Sequence, residues 1–248
     1  MSETHEGVRL GVVKPKLHPK SLEDLAALLP GDIEMIPEYI GFAYGSLDEF
    51  RNAMPTYEEK VAALAAQHCD LIHPEGAPPF MMQGCAAECA YIKKWEAAYG
   101  VPVFTTGSTQ VAAMRALGIT RFVGYTPFAG ELAEAFARYF TDAGFEVLSM
   151  GKPIADDEDV YQLTIEEIRD RIIGKFGRDP AGAQALYILG SDWRALDVLL
   201  DVETAIGVPV LHPVVVRCWY ILTQLGRHQT FTGHGQLLSQ MPPFAAPE

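Results

Sequence analysis

The stretch CDLIHPEGAPPF, Cys69 to Phe80, puts an imidazole, a carboxylate and a glycine (His73, Glu75, Gly76) at the end of an apolar run. A histidine near its ordinary pKa can take or give a proton at neutral pH, and a glutamate can do so if partial burial raises its pKa. Pro78 and Pro79 are expected to forbid any regular hydrogen-bonded structure immediately beyond. His212 precedes Pro213 just as His73 precedes Pro74. The residue before a proline is held extended, which projects each imidazole from a strand tip. His73, Glu75 and His212 are therefore candidates for general acid–base work. In GSDWR, Arg194 offers a bidentate grip on a carboxylate and Trp193 an apolar wall for a ring-bearing substrate. A plainer reading stands beside each of these: a polar turn, a histidine capping a turn, a solvated surface charge, a buried structural tryptophan. Two histidines and a glutamate also suit zinc, but their spacing follows strand ends and no compact ligand motif, so no metal is expected.

These residues need a scaffold, and the chain alternates short runs rich in Val, Ile and Leu with amphipathic segments. RLGVVKP, DIEMIPE, CDLIHPE and VPVFTTG read as four strands; RFVGYTP, FEVLSMG, ALYILGS and VPVLHPV read as four more. Buried strands separated by helical patterns predict a parallel α/β sheet. The two series resemble each other. Arg9 opens the first strand of one and Arg121 the first of the other, and GVPV, from Gly100 and again from Gly207, precedes the last strand of each. The expected architecture is two pseudo-symmetric four-stranded parallel-sheet lobes with flanking helices. They would span 1–115 and 116–222, with a C-terminal segment over 223–248. Ligands of open parallel sheets bind beyond the carboxyl ends of the strands. HPEG and GSDWR would then hold equivalent places in the two lobes.

The chain has 248 residues, 49% of them hydrophobic, enough for a sizeable core. Its 19 basic and 32 acidic residues give a net charge of −13, which disfavours nucleic-acid binding. No apolar run approaches a membrane span, and the N-terminal MSETHEGVRL lacks the order of a signal peptide, so a cytoplasmic protein is expected. The four cysteines form no zinc-like double pair; Cys85 and Cys89 are one helical turn apart and read as packing, and Cys69 and Cys218 as buried thiols. Small α/β enzymes are often symmetric oligomers, and a homo-oligomer is expected. The proline-rich ending MPPFAAPE would either cover a neighbour or stay loose.

The first strand GVVKP, the segment GSLDEF, the long stretch GVPVFTTGSTQVAAMRALGITRFVGYTP, the strand GVPVL and the ending GHGQLL together resemble the aspartate/glutamate racemase superfamily. The branch they resemble holds maleate cis–trans isomerase and arylmalonate decarboxylase. The resemblance implies a cofactor-free enzyme that uses a cysteine from each lobe, at the ends of the third and seventh strands. In decarboxylases of the branch, glycine stands at the first of these places. Here the first place falls at Gly76 or Ala77 and the second at Ser191 or Asp192, so neither holds a thiol. The resemblance further implies that Lys14, Lys16 and His18 hold a substrate carboxylate, and that Tyr125 and Thr126 contact the substrate, with Thr126 donating to a carboxylate oxygen. Phe128 and Phe50 stand where tyrosine hydroxyls are common. The resulting expectation is a cofactor-independent lyase or isomerase, decarboxylase-like, acting on a small carboxylic or dicarboxylic acid through an enolate-like intermediate. His212, Glu75 and His73 would handle the proton and Ser191 would donate a hydrogen bond. Hydrolysis or hydration with His73, Glu75 and His212 activating water, and ligand binding without turnover, remain alternatives.

Overall fold

A computed structural model of the chain describes residues 7–17, 20–43, 45–155, 159, 162–190 and 195–246. The chain divides into two compact units, Met1–Ser108 and Thr109–Glu248. Each contains one parallel sheet.

In the first unit the sheet runs in the order β2 (Ile33–Tyr39), β1 (Val8–Lys14), β3 (Leu71–Pro74). β1 is central and buried from Leu10 onward, which explains the apolar run LGVV, residues 10–13, that precedes Lys14. The fourth predicted strand, VPVFTTG, is reduced to a single parallel bridge between Val103 and Ile72. Pro102 cannot donate to a ladder, which limits pairing there. Four helices flank this sheet: α1 (Lys20–Leu28), α2 (Leu47–Arg51), α3 (Met54–Ala66) and α4 (Ala77–Met81); α5 (Cys85–Tyr99) follows. GSLDEF is a helix start: Ser46 caps α2 and Glu49 returns to the Ser46 backbone, the reciprocal arrangement of a capping box. In α3, Tyr57, Val61 and Leu64 recur at helical spacing and are all buried. α6 (Thr106–Ala116) crosses the division between the units.

The second sheet runs β5 (Glu146–Gly151), β4 (Arg121–Tyr125), β6 (Leu186–Ile188), β7 (Val210–Leu211). With the Val103 bridge counted, both units follow the same order, second–first–third–fourth. The recurring GVPV also has a local cause. Gly100 and Gly207 terminate α5 and α9 (Leu199–Ile206) in the left-handed conformation, with φ of 67° and 73°, and the chain then turns into the last strand. Around β4 an aromatic cluster forms, with Phe140 of α7 (Glu131–Asp142) 5.1 Å from Phe122 and 4.9 Å from Tyr187 between ring centroids. α8 (Ile165–Phe176) opens on a Thr164/Glu167 capping box.

α10 (Pro213–Gln224) is buried on nearly every face, including Arg217 and Trp219. The proline-rich ending folds onto this helix. Trp219 Nε1 donates to the Pro242 carbonyl at 2.8 Å, and Phe244 packs on Trp219 and Tyr220. The short helix α11 (Gly235–Gln240) is tied down by Glu203, whose carboxylate accepts from Gln236 N and Val210 N. Among the described residues, no helix is long and apolar enough to cross a membrane.

Candidate active site

Strand register brings opposite charges together in the first unit. Val13 pairs with Pro74 across β1 and β3, so the next residues, Lys14 and Glu75, emerge side by side at the carboxyl edge of the sheet. The ladder continues one step further, with Glu75 N donating to the Val13 carbonyl at 2.9 Å. Lys14 Nζ and Glu75 Oε2 form an ion pair, and Lys14 Nζ also donates to Ser21 Oγ of α1 at 2.6 Å. The pair is buried, with side-chain exposures of 1% for Lys14 and 10% for Glu75. Charges removed from water in this way persist when paired and hydrogen-bonded. Tyr57 completes the frame by donating its hydroxyl to the Glu75 carbonyl at 2.5 Å. Burial raises the Tyr57 pKa far above the ordinary phenol range, so the hydroxyl stays a donor.

Gly76 follows with φ of 135° and caps α4. A Cβ there would lie 2.3 Å from the Tyr57 hydroxyl. No side chain, and so no thiol, fits at Gly76 without displacing Tyr57. Against expectation, Pro78 and Pro79 do not prevent regular structure: they sit in the first turn of α4, where a helix needs no N–H partner, and their missing N–H groups thin the backbone donors available to an anion there.

His73 is fully buried, its Nδ1 is 2.8 Å from the Phe104 carbonyl, and its ring stacks on Phe104. A carbonyl only accepts, so Nδ1 carries the proton. His212 is also fully buried. It is the N-cap of α10, with Nδ1 accepting from Val214 N at 3.3 Å. That bond needs Nδ1 unprotonated. Both rings are thus anchored by the fold, and the extended backbone expected before each proline is present.

The second unit differs at the matching edge. Tyr125 pairs with Ile188, and Leu189 N donates to the Tyr125 carbonyl, as Glu75 N does to Val13. Thr126 therefore takes the place of Lys14, Leu189 that of Glu75, and Gly190, with φ of 107°, that of Gly76. The sequence pairing of Gly76 with Ser191 is displaced by one residue. Thr126 is buried and its Oγ1 accepts from Phe128 N at 3.2 Å, closing its own turn. The Tyr125 hydroxyl is spent on Asp179 at 2.5 Å, beside Lys175, which reaches Asp179 at 3.0 Å and lies over the Tyr125 ring. Burial and this hydrogen bond raise the Tyr125 pKa well above the phenol range. Ser191, Asp192, Trp193, Arg194 and His18 lie outside the described residues. Lys16 is exposed, and Ala77 is buried at the start of α4.

Sequence reasoning missed Ser21 and Tyr57. Tyr57 falls on the buried stripe of α3, a signal that was present; Ser21 carries none. Phe50 is buried and packs edge-on against Phe42, and the half-buried Phe128 packs edge-on against Phe136, so both rings serve packing. Burial lifts the thiols of Cys69 and Cys218 to about 11 and about 12, which makes both inert. Among the described residues no group of His, Cys, Asp and Glu side chains is arranged to hold a metal ion.

Solved structures share this fold. The maleate isomerase Iso from Pseudomonas putida S16 superposes with a TM-score of 0.81 at 19% identity, covering 94% of this chain and 99% of that one. An arylmalonate decarboxylase gives 0.77 at 20% identity, over 94% and 99%. The maleate cis–trans isomerase of Nocardia farcinica gives 0.80 at 21% identity, over 94% and 98%. No curated protein matches the chain by sequence. The family model described as arylmalonate decarboxylase matches residues 11–238. That match runs from the strand bearing Lys14 to the helix tied by Glu203, and on it the chain belongs to the arylmalonate decarboxylase family of enzymes.

Proposed function

We propose that the protein is a cofactor-independent lyase or isomerase for a small carboxylic or dicarboxylic acid, acting through an enolate-like intermediate, with decarboxylation as its leading reaction. The observation that carries this reading is the buried Lys14–Glu75 pair at the carboxyl edge of the first sheet. Parallel sheets present ligands at that edge, and members of this family without cofactors must meet developing negative charge with protein groups alone. Loss of carbon dioxide from a malonate-like acid leaves two electrons on the adjacent carbon, delocalised onto the remaining carboxylate oxygens. The Lys14 ammonium offsets that charge, and the Lys14–Glu75 pair holds the proton that returns to carbon. His73 and His212 act here as holders of the Phe104 loop and of the α10 terminus.

The test is direct. Purified protein incubated with substituted malonates and with maleate is expected to release carbon dioxide or change isomer, and Lys14→Met is expected to abolish either. No turnover on any of these acids would defeat the reading.

A further inference from the structure

We propose a second activity at the same edge: Lys14 forms an imine with 3-oxo acids and decarboxylates them covalently. The proposal rests on the reading that small carboxylates occupy this edge, and it assigns Lys14 a role as nucleophile in addition to charge. Three observations combine. The first place where the resemblance implies a thiol, the one at this edge, offers either Gly76, which has no room for a side chain, or Ala77, which has no reactive group. The amine of Lys14 is the nucleophile that the fold supplies instead, on the last residue of β1, 1% exposed. It is held between a carboxylate that can take its proton and a hydroxyl, Ser21 Oγ, 2.6 Å away, that can follow the transferred hydrogen bond. A lysine ammonium is unreactive until deprotonated, and a buried lysine beside a base is the form that condenses with carbonyls.

The steps balance. The Lys14 ammonium gives a proton to Glu75, and the free amine adds to the ketone carbon of the 3-oxo acid. The carbinolamine hydroxyl leaves as water with the proton from Glu75, giving an iminium. The bond to the carboxylate then breaks, its electron pair moves toward the iminium nitrogen, and carbon dioxide leaves an enamine. Solvent supplies one proton to carbon, water hydrolyses the iminium, and Lys14 returns as the ammonium. A malonate lacks the ketone, so it can be decarboxylated at this edge only by the non-covalent route.

Borohydride trapping distinguishes the two. The intact protein is incubated with acetoacetate or with 2-substituted 3-oxo acids, treated with borohydride and digested. Mass spectrometry is expected to find a reduced secondary amine on Lys14, absent without the oxo acid and absent in Lys14→Arg, whose fold is checked by circular dichroism. No adduct on Lys14 of the folded wild-type protein, or an adduct spread over exposed lysines such as Lys16 and Lys20, would overturn the proposal. If malonates turn over while no adduct forms, only this inference fails; if an adduct forms while diacids are inert, the edge is a carbonyl-condensing site and the non-covalent reading fails.

Discussion

At the carboxyl edge of the first sheet Lys14 stands beside Glu75; at the matching place in the second, Thr126 stands beside Leu189. Strand order matches in both, and the edge itself matches down to the hydrogen bond beyond the third strand and the positive-φ glycine after it, although the second sheet carries a register shift at Phe122/Val123. The fold therefore does not require a charged pair there. A buried ion pair rarely stabilises more than an apolar pair of similar shape, because desolvation offsets the Coulomb attraction. One unit has the cheaper, neutral solution and the other keeps charges out of water. Among the described residues, that asymmetry is what the proposal of chemistry at the first edge rests on.

The largest expected effect breaks the pair on one side only. Lys14→Met or Glu75→Gln should cost roughly 3–5 kcal/mol in chemical denaturation, since each strands a buried charge. Lys14→Met combined with Glu75→Leu should recover most of that loss. In the second unit, Thr126→Val should cost only about 1 kcal/mol, the typical worth of its hydrogen bond. A double variant as unstable as the singles would remove the contrast.

The glycine at the first edge sharpens the same comparison. Gly76→Ala should destabilise by about 1–3 kcal/mol, from the strained φ and the collision with the Tyr57 hydroxyl. In a Tyr57→Phe background the penalty should be smaller than the sum of the single changes, because the hydroxyl it meets is gone. Strict additivity, read from denaturation midpoints, would mean that Tyr57 does not set the space at Gly76.

A smaller change is expected at the framework of the second unit. Tyr125→Phe should cost about 1 kcal/mol, with Asp179 still paired to Lys175, and should leave turnover unchanged. A large loss of activity would place Tyr125 in the chemistry after all.

The smallest effect is chemical labelling. At pH 8 an alkylating reagent should modify exposed Cys89 and spare Cys69 and Cys218 in the folded protein. Both buried thiols ionise only as pH approaches about 11 and about 12, so the reactive thiolate is absent at pH 8 and grows only as pH rises toward those values.

Much of this was legible in the residues. Apolar runs such as the LGVV of RLGVVKP carry the signal of a central parallel strand, and the repeated GVPV marks a helix ending and a strand beginning in both units. Glu75 and Lys14 both stood out as polar residues at strand ends. Their partnership did not, because it depends on the register of β1 against β3, which no local pattern fixes. The same one-residue sensitivity hid the equivalence of Gly76 with Gly190. His73 and His212 drew attention as acid–base candidates, whereas their hydrogen bonds depend on Phe104 and Val214, and a tautomer is set by such partners. Tyr125 looked available for substrate until the distant Asp179 was placed against it.

The measurement that bears most directly on the central claim is turnover of malonates and maleate by the Lys14→Met/Glu75→Leu double variant, once denaturation shows it folded. If the charged edge of the first sheet is the chemical centre, the rate should fall by at least about a hundredfold, the scale of lost acid–base catalysis. A folded double variant that turns over at the wild-type rate would contradict the account.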